Sequence, residues 1–399
     1  IPQVIDLVVY VAPIASTAQF VKDLGGKAKA VIVISGLPAN LKYSDFVAQM
    51  DEVKPKEPRL IGPDCMGVFF APDDHSKGVN TLFIEEEKLG LKYSKHSNTA
   101  LLTQSGALAL TSIDAMQNSK VFKAIVSFGN QYDVKITDLM AFFANDPSIE
   151  LISLYVEGLS PGEGRLFFKL ARESQKPMLV YKSGKTAAGA QAAASHTAAM
   201  SGNYEVFRAA ARQGGVVLAE TLEEYYDYLR IFSLLAKKKP RGNSVAGVVI
   251  AADELNNLVP ATLHAETIQK LRQTDVHGLV DLSTALLDVT PMANDQLFTD
   301  YVETVLQDDN VDCVFASIVP HSNALKSGPD TARDPGSLAN LLTRLAQRYQ
   351  KPLVVSVNGA RHYDEFVAVM EEGGLPVYRN PRAAIQALEA FVSYHLNQK

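Results

Sequence analysis

The chain has 399 residues, 47% hydrophobic and 21% charged, with 38 basic residues against 44 acidic for a net charge of −6. That length implies two or three domains at about 150 residues each, and the composition excludes a chain that is mainly disordered. The acidic balance argues against a general binder of nucleic-acid backbones, and no apolar run reaches the roughly 18 residues of a membrane span.

Two cysteines, Cys65 and Cys313, exclude a disulfide scaffold and fit a reducing cytosol. Neither stands in a metal-ligand spacing, so no metal site is expected. The sequence opens on Ile1, and its first residues read as the lead-in to a buried strand, so a missing N-terminal part is expected.

In chain order, runs rich in Val, Ile and Leu fall at 5–12, 30–34, 100–103, 124–128, 151–156 and 178–181, then at 245–251, 314–319 and 353–357. They do not alternate with polar residues, as suits strands covered on both faces. Amphipathic helical stretches lie between them at 137–144, 204–213, 338–349 and 382–394. Strands alternating with helices predict parallel α/β layers. Polar stretches at 85–98 and 237–243 mark two seams, the second a basic run read as a solvated linker. The expected modules are 1–96, 97–240 and 241–399.

Modules two and three repeat one pattern. NDPSIELISLYVEG, KPMLVYKSGK and GGVVLAETLEEYYDYL in the second answer to QDDNVDCVFASIVP, KPLVVSVNGA and GGLPVYRNPRAAIQAL in the third. Lys176 and Gly214 are 38 positions apart, Lys351 and Gly373 only 22, so module two carries 16 extra residues after its Lys-Pro strand. An insertion confined to one copy is where grafted chemistry is expected.

That insertion, SGKTAAGAQAAASHTAAMSG, holds one histidine, His196. A neutral imidazole is a nucleophile when a partner on its other nitrogen sets its tautomer. An exposed histidine in a small-residue loop is the competing reading. Glu157 is the candidate partner, because it ends a strand at the sheet edge where ligands bind in open α/β sheets. A carboxylate that merely caps a loop is the alternative. Eleven residues beyond Asp146 is Glu157, and eleven beyond Asp309 is Pro320, so acid and histidine belong to one copy only.

At 101–110 a strand runs into Gln104-Ser105-Gly106-Ala107 and then a helix. Exposed amides at a helix start make an anion site, and Ser105 serves as N-cap or as phosphate ligand. The matching place in module three, VVIAADELNN, has Ala252 and Asp253. At 59–69, RLIGPDCMGVF sets Gly62, Pro63, Asp64, Cys65 and Gly67 in a turn after an apolar strand. Cys65 alone reads as a small buried hydrophobe. No GxxxxGK[ST] or GxGxxG occurs, so no nucleotide loop is expected on this chain.

Together these segments resemble the α part of the NDP-forming acyl-CoA synthetases, the succinyl-CoA synthetase superfamily, with ADP-forming acetyl-CoA synthetases as the nearest branch. IGPDCMG resembles that family's turn near coenzyme A, TQSGALA its phosphate-holding helix start, and KSGKTAAGAQAAASHTAAMSG its histidine region. The resemblance implies three Rossmann- or flavodoxin-like parallel-sheet α/β domains. These are a CoA-binding one at 1–96 lacking its N-terminal part, a flavodoxin-like one at 97–240 with a phosphohistidine loop, and a second flavodoxin-like, CoA-ligase one at 241–399. It carries the phosphorylated histidine onto His196 and its supporting glutamate onto Glu157. Phosphate contacts fall on Ser105, Gly106, Ala107, Ser195 and Thr197, and coenzyme A contacts on Gly62, Pro63, Asp64, Cys65 and Gly67.

The implied reaction interconverts acyl-CoA, phosphate and NDP with acid, CoA and NTP through an acyl phosphate and a phosphohistidine. ATP/ADP or GTP/GDP and Mg would sit on an ATP-grasp β subunit or fused domain. The expected setting is a cytoplasmic, oligomeric ligase that meets a small carboxylic acid and CoA but no nucleic acid or membrane. The sequence departs at Asp64, where Asn is usual, at Ala198, where Gly is, and at VIAADEL, where a Gly-rich helix start is. The last departure keeps a non-catalytic CoA- or acyl-CoA-binding homologue as the alternative.

Overall fold

A computed structural model describes residues 4–38, 41–53, 58–74, 76–189, 191, 202–248, 252–275, 278 and 280–397. The chain divides into two compact units, Ile1–Tyr225 and Tyr226–Lys399.

The first unit opens with β1 (Ile5–Tyr10), β2 (Ala28–Val33) and β3 (Arg59–Ile61), a parallel sheet in that order. The helices Thr17–Leu24 and Tyr43–Val53 bury Val21, Leu24, Phe46 and Met50 in one cluster with strand residues Val31 and Val33. A second sheet takes β4 (Gly67–Phe70), β5 (Val79–Asn80), β6 (Thr99–Thr103), β7 (Phe122–Ser127), β8 (Leu151–Val156), β9 (Met178–Lys182) and β10 (Val217–Ala219). Its order is β10-β9-β8-β6-β7-β4-β5, antiparallel only where β4 meets β7 and β5. β6 and β7 are buried at every position, which is why their sequences are unbroken apolar runs with only small polar residues and Lys123. Lys123 is tolerated because its Nζ donates to Ala71 O and Asp73 Oδ2, each at 2.9 Å.

The second unit holds β11 (Ser244–Val248), β12 (Val259–Pro260), β13 (Leu286–Leu287), β14 (Cys313–Ile318), β15 (Leu353–Val357) and β16 (Val377–Tyr378). Their order is β12-β11-β14-β15-β16, with β13 also on β11 and every pairing parallel. Counting from β6 or from β11, both units run second, first, third, fourth, fifth strand, the flavodoxin-like order. The α/β class, the parallel sheets and the repeat read from the sequence are all present. The helices expected at 137–144, 204–213, 338–349 and 382–394 are Ile136–Asn145, Tyr204–Gln213, Leu338–Arg348 and Pro381–Asn397.

The Lys-Pro signature of the repeat has a mechanical origin. Lys176 Nζ donates to Phe143 O (2.9 Å) and Asp146 O (2.5 Å), and Lys351 Nζ donates to Asp308 O (2.5 Å). Each lysine ties its strand to the turn before the neighbouring strand. Asp146 and Asp308 make the same turn, accepting from Ser148 N and Asn310 N through Oδ1. Asp146 therefore corresponds to Asp308 rather than to Asp309. The residue that follows β14, Val319 and not Pro320, stands where Glu157 follows β8.

The turn after β3 is held by the loop after β7. Pro63 O accepts from Asn130 N (2.9 Å), Gly62 O from Tyr132 N (3.0 Å), and Met66 N donates to Ser127 Oγ (3.0 Å). Gly129 has φ +51°, and a Cβ there would lie 2.3 Å from Pro63 O and 2.2 Å from Asp64 O. Gly129→Ala is therefore expected to cost about 2–4 kcal/mol through strain and displaced backbone. Gly162→Ala, also at positive φ but facing open space, should cost only about 1–2 kcal/mol. Urea unfolding of both variants checks this, and equal losses would contradict the close approach at Gly129.

Candidate active site

The parallel strands β6, β7, β8 and β9 end along one edge of the second sheet, with Thr103 in register with Ser127 and Tyr155, and Val156 with Lys182. The residues that follow them face this edge, and the strand order reverses between β6 and β8. In open α/β sheets that reversal makes a crevice at the carboxyl ends.

Glu157 follows β8 and is 7% exposed. Gln104, which follows β6 and is 3% exposed, accepts through Oε1 from both Glu157 N (2.5 Å) and Gly158 N (3.0 Å). Gln131, 2% exposed, donates Nε2 to Gly158 O (3.1 Å) and accepts from Ile136 N (3.1 Å). Lys182, the last residue of β9, donates Nζ to Glu157 O (2.8 Å) and Ser183 O (2.5 Å). Three buried side chains thus hold both backbone polar groups of Glu157 and of Gly158, save only the carbonyl and amide directions they already use. A buried backbone group left unpaired would cost a lost hydrogen bond.

These bonds fix the orientation of the Gln104 carboxamide, since only its oxygen can accept from two amides. Its Nε2 is buried and has no partner among the described residues. The Ser183 hydroxyl, at the end of β9, is in the same state. The helix Gly106–Ala115 starts two residues beyond Gln104. Ser105 is its N-cap, with Oγ accepting from Leu108 N at 3.3 Å, and Thr103 Oγ1 braces the turn through Ser105 N and Ser105 O. Gly106 is needed because a Cβ would lie 3.3 Å from Met66 Cβ. Ser105, Gly106 and Ala107 therefore form a real helix start at the switch point, where backbone N–H groups without intrahelical acceptors point outward.

Ser195, His196 and Thr197 lie outside the described residues, as does Ala198. The insertion that carries them is anchored on either side. Glu220 Oε2 accepts from Lys185 Nζ and from Tyr204 OH, each at 2.7 Å. Burial alone would raise the Glu220 carboxyl, but the bonds from Lys185 and Tyr204 bring it below its ordinary value.

Gly62, Pro63, Asp64, Cys65 and Gly67 form the turn between β3 and β4. Much of its backbone is spent on the protein, and Asp64 N donates to Ser35 O (3.1 Å). Cys65 is 5% exposed, and burial pushes its thiol up to about 12, so it stays a thiol. Asp64 is exposed at positive φ, with its carboxylate beside Gly36.

The second helix start expected near Ala252-Asp253 is not there. Among the described residues, 252–254 form a single 3-10 turn between β11 and β12, with Asp253 exposed. The amides of Asn256, Asn257 and Leu258 donate to Glu389 Oε1 at 2.6, 2.7 and 3.4 Å. Residues 249–251 lie outside the described set. The acidic residues of this segment thus belong to a turn whose following amides are filled by the chain's own carboxylate.

Sequence reasoning passed over Gln104, Gln131, Lys182 and Gly129. Polar residues directly after apolar strands, such as Gln104, and a lysine inside an apolar strand, such as Lys182, were the available signals. Nothing local marks Gln131.

Two flavodoxin-like sheets and a third parallel sheet, with a helix start and a buried carboxylate at one switch point, define a class of α/β ligand-binding chains. The comparisons narrow the class. Residues 96–232 match the family described as the succinyl-CoA ligase like flavodoxin domain. The chain is 29% identical over 99% of its length to Acetate–CoA ligase [ADP-forming] I subunit alpha of Pyrococcus furiosus, of which it covers 84%. It is 28% identical over 99% of its length to Acetate–CoA ligase [ADP-forming] I of Archaeoglobus fulgidus, of which it covers 55%. The chain thus spans about half the length of that relative. The solved acetyl-coenzyme A synthetase 1 of Ca. Korarchaeum cryptofilum shares the fold, with TM-score 0.83, 24% identity, and coverage of 100% of this chain and 86% of that one. The resemblance read from the motifs is borne out: this is a relative of the ADP-forming acyl-CoA ligases, of the α-subunit type.

Burial pushes the Lys182 ammonium down to about 8, against the opposing pull of Glu157. Between that value and the ordinary 10.5 the folded chain binds fewer protons here than the unfolded chain. Stability from this group therefore rises as pH rises through the window and is lowest below it. Urea midpoints of the wild type and Lys182→Met should diverge in the wild type's favour between pH 7.5 and 10.5. A constant difference would show that Lys182 does not carry a displaced proton equilibrium.

Proposed function

We propose that the chain is the α portion of an NDP-forming acid–CoA ligase that works with an ATP-grasp partner. Phosphate is held at Ser105, Gly106 and Ala107, and its oxygen attacks the thioester carbonyl. The C–S bond breaks, CoA leaves, and an acyl phosphate forms. A ring nitrogen of His196 then takes the phosphoryl group as the P–O bond to the acyl group breaks and the carboxylate leaves. The N–P bond is finally exchanged for one to the NDP, and the reverse sequence makes acyl-CoA. In this reading Ser195 and Thr197 flank the phosphoryl group, the 62–67 turn faces CoA, and nucleotide and Mg belong to the partner. We assign these roles to the modules 1–96, 97–240 and 241–399, in a cytoplasmic oligomer.

One observation carries the proposal. Glu157 is held by its backbone at the switch point, beside a helix start and an unspent Gln104 amide, within the family-matched segment that also bears the anchored insertion. A carboxylate held this way accepts the proton of one imidazole nitrogen, raises the basicity of the other, and steadies the imidazolium that forms during transfer. The Gln104 N–H adds a neutral donor for an anionic oxygen, and Lys182 adds a buried charge of the right sign.

The alternative, a non-catalytic CoA- or acyl-CoA-binding homologue, is favoured by a different observation. The second unit has a 3-10 turn and an internal Glu389 carboxylate where a second phosphate-holding helix was expected. Incubation with acyl-CoA and phosphate, or with NTP and a completing ATP-grasp subunit, separates the two. The ligase reading expects acid-labile, base-stable label on the chain, absent in His196→Ala and formed about 10²-fold more slowly in Glu157→Gln. Label that persists in His196→Ala contradicts the assignment. Tight acyl-CoA binding with no label in any variant establishes the binding homologue.

A further inference from the structure

The two units share one topology, but their carboxyl edges differ in chemistry. Val319 follows β14 where Glu157 follows β8, and Val357 ends β15 where Lys182 ends β9. The acid and the cation of the first unit are both valine in the second. At that apolar edge lies a cavity of about 370 Å³, within the range of small-molecule sites. Val248, Leu287, Val289, Phe298 and Leu325 are among its walls, and Val319 is at its lining. Val319 is 47% exposed and Met292 67% exposed, so the approach is apolar as well.

The polar groups of the cavity are few. Ser317, 2% exposed, lines it from β14. Its Oγ accepts from Ser356 Oγ and from Asn358 Nδ2, each at 3.0 Å. A hydroxyl has two acceptor sites and one donor, so both acceptor sites are used. Among the described residues no acceptor takes its hydrogen. No lysine or arginine lines the cavity, and its one carboxylate, Asp288, is exposed and accepts from Thr290 N (3.1 Å). Such a lining penalises an anion, which would be desolvated without a counter-charge. It rewards hydrocarbon bulk and one oxygen able to accept from Ser317.

We propose that this cavity is a second binding site, for a small, uncharged, largely hydrocarbon molecule carrying one hydrogen-bond-accepting oxygen. The site is chemically unlike one for a carboxylate, a phosphate or coenzyme A, and the proposal does not depend on the ligase reading.

The test uses the full chain and three ring-matched probes: benzyl alcohol, toluene and benzoate. Saturation-transfer NMR titrations should give benzyl alcohol a Kd of about 1 mM or tighter. Toluene should bind roughly fivefold to tenfold more weakly, the size of one hydrogen bond, and benzoate should show no saturable binding. Val319→Trp, at an exposed position, should abolish benzyl alcohol binding while leaving the urea midpoint unchanged. Ser317→Ala should bring benzyl alcohol down to the level of toluene. Absence of saturable binding by any probe overturns the proposal, as does benzoate binding tighter than benzyl alcohol. Benzyl alcohol binding that survives Val319→Trp unchanged places the probe elsewhere and overturns it too.

Discussion

The candidate site depends on how one backbone segment is held. Residues Glu157 and Gly158 leave β8 at the point where strand order reverses, so neither neighbour strand continues the ladder for them. Gln104 Oε1 takes both amides, Gln131 Nε2 takes the Gly158 carbonyl, and Lys182 Nζ takes the Glu157 carbonyl. These partners come from the ends of β6 and β9 and from the loop after β7, so one two-residue turn gathers the edge of the whole sheet. The conformation of Glu157 is therefore set before any ligand arrives. Preorganisation of this kind is what an acid–base group needs, since reorganising it during reaction would raise the barrier.

The same fold without that arrangement is present in the second unit. There the Lys-Pro tie is retained, with Lys351 on Asp308 O as Lys176 is on Asp146 O. The tie is part of the scaffold and was kept. The edge was not: Val319 and Val357 replace the acid and the cation, and Glu389 fills the amides of 256–258. A parallel pair such as β11 and β12 usually needs a dozen or more residues of crossover, and the connection here is shorter, with a 3-10 turn among its described residues. Fold and chemistry have separated between the two copies, as expected when function resides in sites grafted on a common frame.

Much of this was legible in the sequence because it depends on local patterns. Unbroken apolar runs gave β6, β7, β8 and β9; Asn203 and Ser337, which cap Tyr204–Gln213 and Leu338–Arg348, are ordinary start signals. The position of Glu157 at a strand end also followed from pattern. The parts that escaped depend on pairs far apart in the chain. Gln131 meets Gly158 across 27 positions and Gln104 meets Gly158 across 54, and no local spacing encodes such a meeting. The one-residue slip from Asp308 to Asp309 arose because two adjacent aspartates look alike in sequence, whereas only Asp308 makes the turn that Lys351 grips. The helix start expected near Asp253 failed for a related reason: its replacement by a turn is stabilised by Glu389, more than 130 positions away.

The central claim is that the Gln104 carboxamide holds the Glu157 turn in the form the site uses. Amide hydrogen exchange on the wild type and Gln104→Ala tests it most directly, followed on the same samples by phosphoryl labelling with acyl-CoA and phosphate. The account predicts strong protection of the Glu157 and Gly158 amides in the wild type. In Gln104→Ala that protection should fall by about tenfold or more, the equivalent of roughly one net hydrogen bond, while the strand amides of β8 stay protected and labelling slows in parallel. Unchanged protection of Glu157 and Gly158 in Gln104→Ala, or lost protection with labelling at the wild-type rate, would contradict it.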